Sequence, residues 1–161
     1  MANNIAVKMG TFSSVEEILD FAIAEEEQAN KFYTDLAQKM EDPAMRKVFE
    51  DFAKEELRHM AKLVAVKQGE FAIKPESVRS LGIADYVVDV EPKADMSYAD
   101  ALDLAMKREK TAYKLYLDLA VASQNEEQSD MFLNLAQEEA KHKLRLEIEY
   151  DDKVLKEWAA S

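Results

Sequence analysis

The chain has two histidines, His59 and His142, and each follows a glutamate by three residues: Glu56-Leu57-Arg58-His59 and Glu139-Ala140-Lys141-His142. Residues i and i+3 share a helix face, so on a helix each pair offers one carboxylate and one imidazole to a single metal ion. Glutamate fills 20 of 161 positions, so chance places it before both histidines about once in 65. The two histidines are 83 residues apart. Glu26 and Glu109 share that offset, and each stands 30 residues ahead of its Glu-x-x-His glutamate.

Seven residues return a helix nearly to the same face. On that spacing Glu26 lies on the track Leu19–Glu26–Tyr33–Met40, and Glu109 on Leu102–Glu109–Tyr116. Glu56 falls between Phe49 and Leu63, Glu139 between Phe132 and Leu146, and His59 between Phe52 and Val66. His142 is less clean, with Leu135 on one side and Glu149 on the other. The carboxylates therefore occupy core positions, where an unpartnered charge is very costly and four together repel one another and rise in pKa. Two divalent cations neutralise four carboxylates. One Glu from each of two helices plus Glu-x-x-His from each of two others is the ligand set of di-iron and di-manganese carboxylate bundles. Oxygen and imidazole donors suit iron or manganese, and the lack of thiolate argues against structural zinc.

Four helices must carry these residues. The patterns predict them over Ser14–Met40, Pro43–Lys67, Tyr98–Ala122 and Glu126–Glu157. Ser13 and Glu16 are spaced as a capping box, Asp42 precedes Pro43 as an N-cap, and Asn125 caps the last helix. Short turns make the first and second helices one antiparallel hairpin, and the third and fourth another. Gln68 to Ser97 form a crossover of about 30 residues. Its apolar residues Phe71, Tyr86, Val87, Val88 and Val90 set it apart from a polar tether. A helix of ~26 residues spans ~39 Å, a length the crossover can run, so the second and third helices can lie parallel. The expected architecture is one all-α domain over residues 1–161, an antiparallel four-helix bundle of two hairpins. Sliding the sequence by 83 superposes the hairpins without a gap and matches 16 of 45 positions between Leu19 and Leu63.

Composition narrows the function. A formal net charge of -12 disfavours nucleic acid and anionic membrane surfaces as partners. With no cysteine, disulfides and iron–sulfur or rubredoxin-type centres drop out. Met1–Thr11 has no apolar run of signal-peptide length and no stretch approaches ~20 apolar residues, so a soluble cytoplasmic protein is expected.

Other residues near the site have two readings. Tyr33 and Tyr116 are either plain core or hydrogen-bond donors to a ligating carboxylate. Asp20, Asp103, Asp35 and Asp118 read as surface charges, with a duplicated pair among them the candidate to orient a histidine. Glu25, Glu27, Glu55 and Glu138 flank the ligands and are expected to face solvent, so Glu55→Ala is expected to spare metal binding. Methionine and aromatic positions are assigned to the core.

The segment Ala24-Glu25-Glu26-Glu27-Gln28-Ala29 through Tyr33, with Glu56-x-x-His59, Glu109 through Tyr116 and Glu139-x-x-His142, resembles the rubrerythrin branch of the ferritin-like superfamily over about residues 14–66 and 98–150. The resemblance implies a ferritin-like fold and two iron ions (manganese or a mixed pair being the alternatives). Glu56 and Glu139 would bridge, Glu26 and Glu109 would be terminal, and each ion would take one histidine. It also implies hydrogen peroxide or dioxygen as substrate and a homodimer. Two departures stand out. Rubrerythrins usually carry a rubredoxin-like domain with four cysteines, absent here, so electrons must come from an external donor such as a rubredoxin-like protein. They also usually carry a carboxylate three residues after the third-helix ligand, where this chain has Ala112. The competing expectations are a peroxide- or dioxygen-reducing oxidoreductase, a ferroxidase or iron-storage protein, and a bundle whose metal is only structural.

Overall fold

A computed structural model describes residues 10–69 and 73–160. Most of Met1–Thr11, and Phe71 of the crossover, lie outside the described residues. Four long helices carry the fold: α1 (Val15–Lys39), α2 (Pro43–Gln68), α4 (Tyr98–Ala122) and α5 (Glu126–Tyr150). The crossover contains the short α3 (Pro75–Arg79) and a 3-10 turn at Ile83–Tyr86. Beyond α5 the helix widens into a π turn over Asp151–Leu155 and closes with α6 (Lys156–Ala160), so the fourth predicted helix is not regular to its end.

The caps explain where the helices start. Asp42 accepts from the Ala44 N–H ahead of Pro43, and Asn125 accepts from the Gln128 N–H. Each such cap contributes about 1 kcal/mol. At α1 the cap is Ser14, accepting from the Glu17 N–H. The capping box expected from Ser13 and Glu16 is therefore displaced by one residue, and Ser13 instead donates to the Glu17 carboxylate.

Within each hairpin the helices are antiparallel neighbours, α1 on α2 and α4 on α5. Tyr33 reaches Glu109 while Tyr116 reaches Glu26, so α1 and α4 also run antiparallel. It follows that α2 and α4 are parallel, as the crossover length allows. The crossover is tied down along its path. Tyr86 is buried and donates to Asp118 at 2.6 Å, and the Lys74 N–H donates to the Ala122 carbonyl at 3.2 Å.

Two apolar cores fill the bundle. One gathers Ile18, Leu19, Leu63, Tyr116, Leu119 and Phe132. The other gathers Tyr33, Phe49, Phe52, Leu102 and Leu146. Each of the four candidate glutamates lies one seven-residue step from a member of each core, for example Glu26 between Leu19 and Tyr33. The glutamates thus form a polar plate between two greasy halves. Two sequence expectations fail at the periphery. Trp158, assigned to the core, is 78% exposed, and Tyr113 is partly exposed. Glu149, the residue that blurred the His142 track, is buried, with Arg145 at 3.8 Å.

Candidate metal centre

The plate brings together all six residues singled out by spacing. Glu26 (α1), Glu56 and His59 (α2), Glu109 (α4), and Glu139 and His142 (α5) are each no more than 3% exposed. Their ligand atoms form two overlapping sets, each mutually within 4.8 Å: Glu26, Glu56, His59 and Glu139, and Glu56, Glu109, Glu139 and His142. Glu56 and Glu139 belong to both sets. The geometry therefore contains two four-donor positions that share two carboxylates.

The histidines face this plate through Nδ1. His59 Nδ1 lies 2.7 Å from Glu139 and 3.6 Å from Glu26. His142 Nδ1 lies 3.0 Å from Glu56 and 3.5 Å from Glu109. Their outer nitrogens are held from across the bundle: His59 Nε2–H donates to Glu138, and His142 Nε2–H donates to Glu55. This corrects the expectation that Glu55 and Glu138 only face solvent. It also removes the aspartates as orienting groups, since Asp20 pairs with Lys67, Asp103 with Lys107, and Asp118 takes the Tyr86 hydroxyl. A carboxylate on the far nitrogen fixes the ring and its tautomer and makes it a better donor to a metal. Glu55→Gln and Glu138→Gln are accordingly expected to weaken metal binding by about 10–100-fold, read by competition against a chelator. Affinity equal to wild type would deny these groups that role.

The tyrosines take the second of their two readings, and they do so across the halves. Tyr33 donates to Glu109 at 2.6 Å and Tyr116 donates to Glu26. Both phenols are buried, and burial followed by the nearby carboxylates pushes their pKa values well up, so they remain donors.

The electrostatics of the metal-free cluster are unfavourable. Burial raises Glu56 and Glu139 well above ordinary carboxyl values, and the neighbouring glutamates add to it. Burial works against charge on the histidines, yet their carboxylate partners outweigh it and both are raised. Burial acts to raise Glu26, but the proximity of Glu56 and His59 and the hydrogen bond from Tyr116 outweigh it, and its pKa is lowered. Several buried lone-pair-bearing atoms still have no hydrogen-bond partner: Glu26 Oε2, Glu56 Oε1, Glu109 Oε2 and His142 Nδ1. Orphaned lone pairs that converge on shared points are the arrangement a cation satisfies. The residues present therefore fit a pair of divalent ions.

Four antiparallel helices with a central Glu/His plate define a ferritin-like carboxylate bundle. The rubrerythrin profile matches residues 17–150, and the chain belongs to the rubrerythrin family. A Thermotoga maritima protein, described from its crystal structure as a candidate ferritin-like diiron-carboxylate protein, superposes with a TM-score of 0.73 at 24% identity, covering 89% of this chain and 97% of that one. A hypothetical protein from Pyrococcus furiosus superposes with a TM-score of 0.67 at 29% identity, covering 90% and 92%. No curated protein matches the chain. Family membership and the buried cluster together point to metal binding. No helix among the described residues is long and apolar enough to cross a membrane.

Proposed function

We propose that the protein is a di-iron oxidoreductase that reduces hydrogen peroxide or dioxygen with electrons from a separate donor. The observation that carries this reading is the pair of four-donor positions sharing Glu56 and Glu139. Glu26 and His59 would complete one position, and Glu109 and His142 the other. Two iron ions held together supply a two-electron redox couple, as required to take hydrogen peroxide to two waters with two protons.

The chain's own residues prepare that chemistry. Four carboxylates match the charge of two divalent ions, so the loaded plate is close to neutral and is stable in an apolar surround. Tyr33 and Tyr116 hold the terminal carboxylates, and Glu138 and Glu55 hold the imidazoles, so each ligand keeps its direction when the charge at the centre changes. The two flanking cores exclude bulk water. A cavity of about 30 Å³ reaches Glu26, Glu56, Glu109 and Glu139. That is room for roughly two water-sized molecules, which suits a peroxide or dioxygen.

Rapid mixing tests the proposal. Anaerobic di-ferrous protein mixed with one equivalent of peroxide is expected to develop a di-ferric absorption band within seconds. Much faster reaction with dioxygen would move the assignment towards ferroxidase or oxidase chemistry, with ferrous iron itself as substrate in the first case. A loaded protein inert to both oxidants would leave the metal a structural role.

A further inference from the structure

The 83-residue repeat keeps the six central residues and both tyrosines but not the mouth of the cavity beside them. Glu25 in α1 corresponds to Arg108 in α4, so the first half places an acid where the second places a base. Both residues line the cavity that reaches the four carboxylates. Beside them lie Ala29 and Ala112, another 83-residue pair, each three positions beyond a terminal glutamate and hence on the same helix face. All four are partly exposed, whereas Glu26 and Glu109 are buried. The cavity therefore runs from the α1–α4 surface inward to the plate.

The opposite side is shut. The cavity lining includes neither histidine. Phe52 stacks on the His142 ring at 4.0 Å between centroids, and Glu55 and Glu138 cover the outer nitrogens. An approach from the α2–α5 side would have to displace rings that hold the ligands in place.

We propose that the seam between α1 and α4, over Ala29 and Ala112, is the passage by which a small uncharged molecule reaches the metal positions, with Glu25 and Arg108 as its rim. The two methyl side chains set the bore. Any longer side chain at either position would project over the terminal glutamate of its own helix. The rim sets the charge preference. Arg108 is anchored over the Phe32 ring at 5.5 Å, and its charge acts on Glu25, which also has Glu91 nearby. One base against these acids leaves the mouth with no excess positive charge, so anions are not steered in. Neutral, polar molecules such as hydrogen peroxide meet hydrogen-bonding groups there. The passage deepens the proposed function, and its oxidant rests on that reading, but the passage itself is tested without turnover.

The probe is nitric oxide, a neutral diatomic, added to anaerobic di-ferrous protein in a stopped-flow instrument, with iron per chain measured on the same samples. Ala112→Leu is expected to keep wild-type iron content and slow nitric oxide association by about tenfold or more. Ala61→Leu, on the exposed face of α2, is the control and is expected to leave the rate unchanged. Ala29→Val, a smaller change on the opposite wall, supplies the same readout if Ala112→Leu fails to hold iron. An iron-replete Ala29→Val or Ala112→Leu protein with the wild-type rate overturns the passage. The charge assignment has its own arm. Arg108→Glu replaces the mouth's base with a further acid and is expected to speed cobalt(II) uptake by metal-free protein about tenfold at low salt, with nitric oxide association unaltered; an unchanged cobalt rate removes the rim's role. Slowed nitric oxide association in a protein that leaves peroxide and dioxygen untouched would keep the passage and remove the oxidant reading. Unchanged association in a protein that consumes peroxide would do the reverse.

Discussion

Glu56→Ala and Glu139→Ala will each remove both metal ions, where Glu26→Ala will remove about one. The difference follows from membership of the two donor sets. Glu26 serves one position, whereas Glu56 and Glu139 serve both. Losing a shared carboxylate leaves each ion with three donors and the pair with one bridge fewer. The charge match is lost as well, leaving three carboxylates for two divalent ions in a buried plate. The loss in affinity is expected to exceed the ~10–100-fold typical of removing an outer hydrogen-bond partner. Elemental analysis after gel filtration gives the count. These variants should still fold, because deleting a buried like charge relieves repulsion in the metal-free state. Metal-free Glu56→Ala is therefore expected to melt higher than metal-free wild type. Two ions retained in Glu56→Ala would show that the shared position is not a shared ligand.

The metal-free protein will lose stability as pH rises, and the metal-loaded protein will not. Glu56 and Glu139 have folded pKa values well above the ordinary 4.5, first through burial and then through neighbouring carboxylates. His59 and His142 lie above the ordinary 6.5, since their carboxylate partners overcome burial. All four groups bind protons more tightly in the folded chain than in the unfolded one. Their stabilisation is complete below the ordinary values and disappears as pH climbs through the raised ones. Glu26 and Glu138 are lowered and act in the opposite sense, contributing fully above 4.5 and losing their contribution in acid. Above that value they add no slope, so the raised groups set it. Metal ions take the place of the bound protons, so loading releases protons and affinity grows with pH. With free metal at about 1,000 times its Kd the gain is about 4 kcal/mol, or roughly 8–16 °C in Tm for a chain of this size. Thermal melts between about pH 5 and 8, with chelator and with manganese(II), give the two curves. A gap between them that fails to widen with pH would contradict the account.

The six central residues were legible because three independent regularities agreed: the i,i+3 spacing, the seven-residue tracks and the 83-residue offset. The helix spans were legible for the ordinary reason that apolar residues recur at helical spacing and Asp42 and Asn125 punctuate them. Glu55 and Glu138 were misread by a local argument. A residue next to a ligand points about 100° away on its own helix, which suggests solvent. Here α2 and α5 lie side by side, so that direction leads to the neighbouring helix and its histidine. The signal was present, since Glu55 and Glu138 are among the matches of the repeat. Tyr33 and Tyr116 posed the converse problem. Their tracks placed them inside, but which carboxylate each reaches depends on how α1 and α4 face each other, and no single-helix pattern encodes that. The π turn at Asp151–Leu155 has no residue signature of its own. The exposure of Trp158 likewise depends on where the last helix leaves the bundle.

The cross-connections between halves have a consequence for what a fragment could do. Each hairpin owns three of the six central residues, and neither metal position is complete without a carboxylate from the other hairpin. The supports are exchanged too: Tyr33 and Glu55 serve residues of the second half, and Tyr116 and Glu138 serve residues of the first. A lone hairpin would therefore need a twin to assemble either position. The crossover makes that twin a permanent neighbour, turning a concentration-dependent encounter into an intramolecular one. Joined in one chain, the two copies are also free to diverge, as Glu25 and Arg108 have.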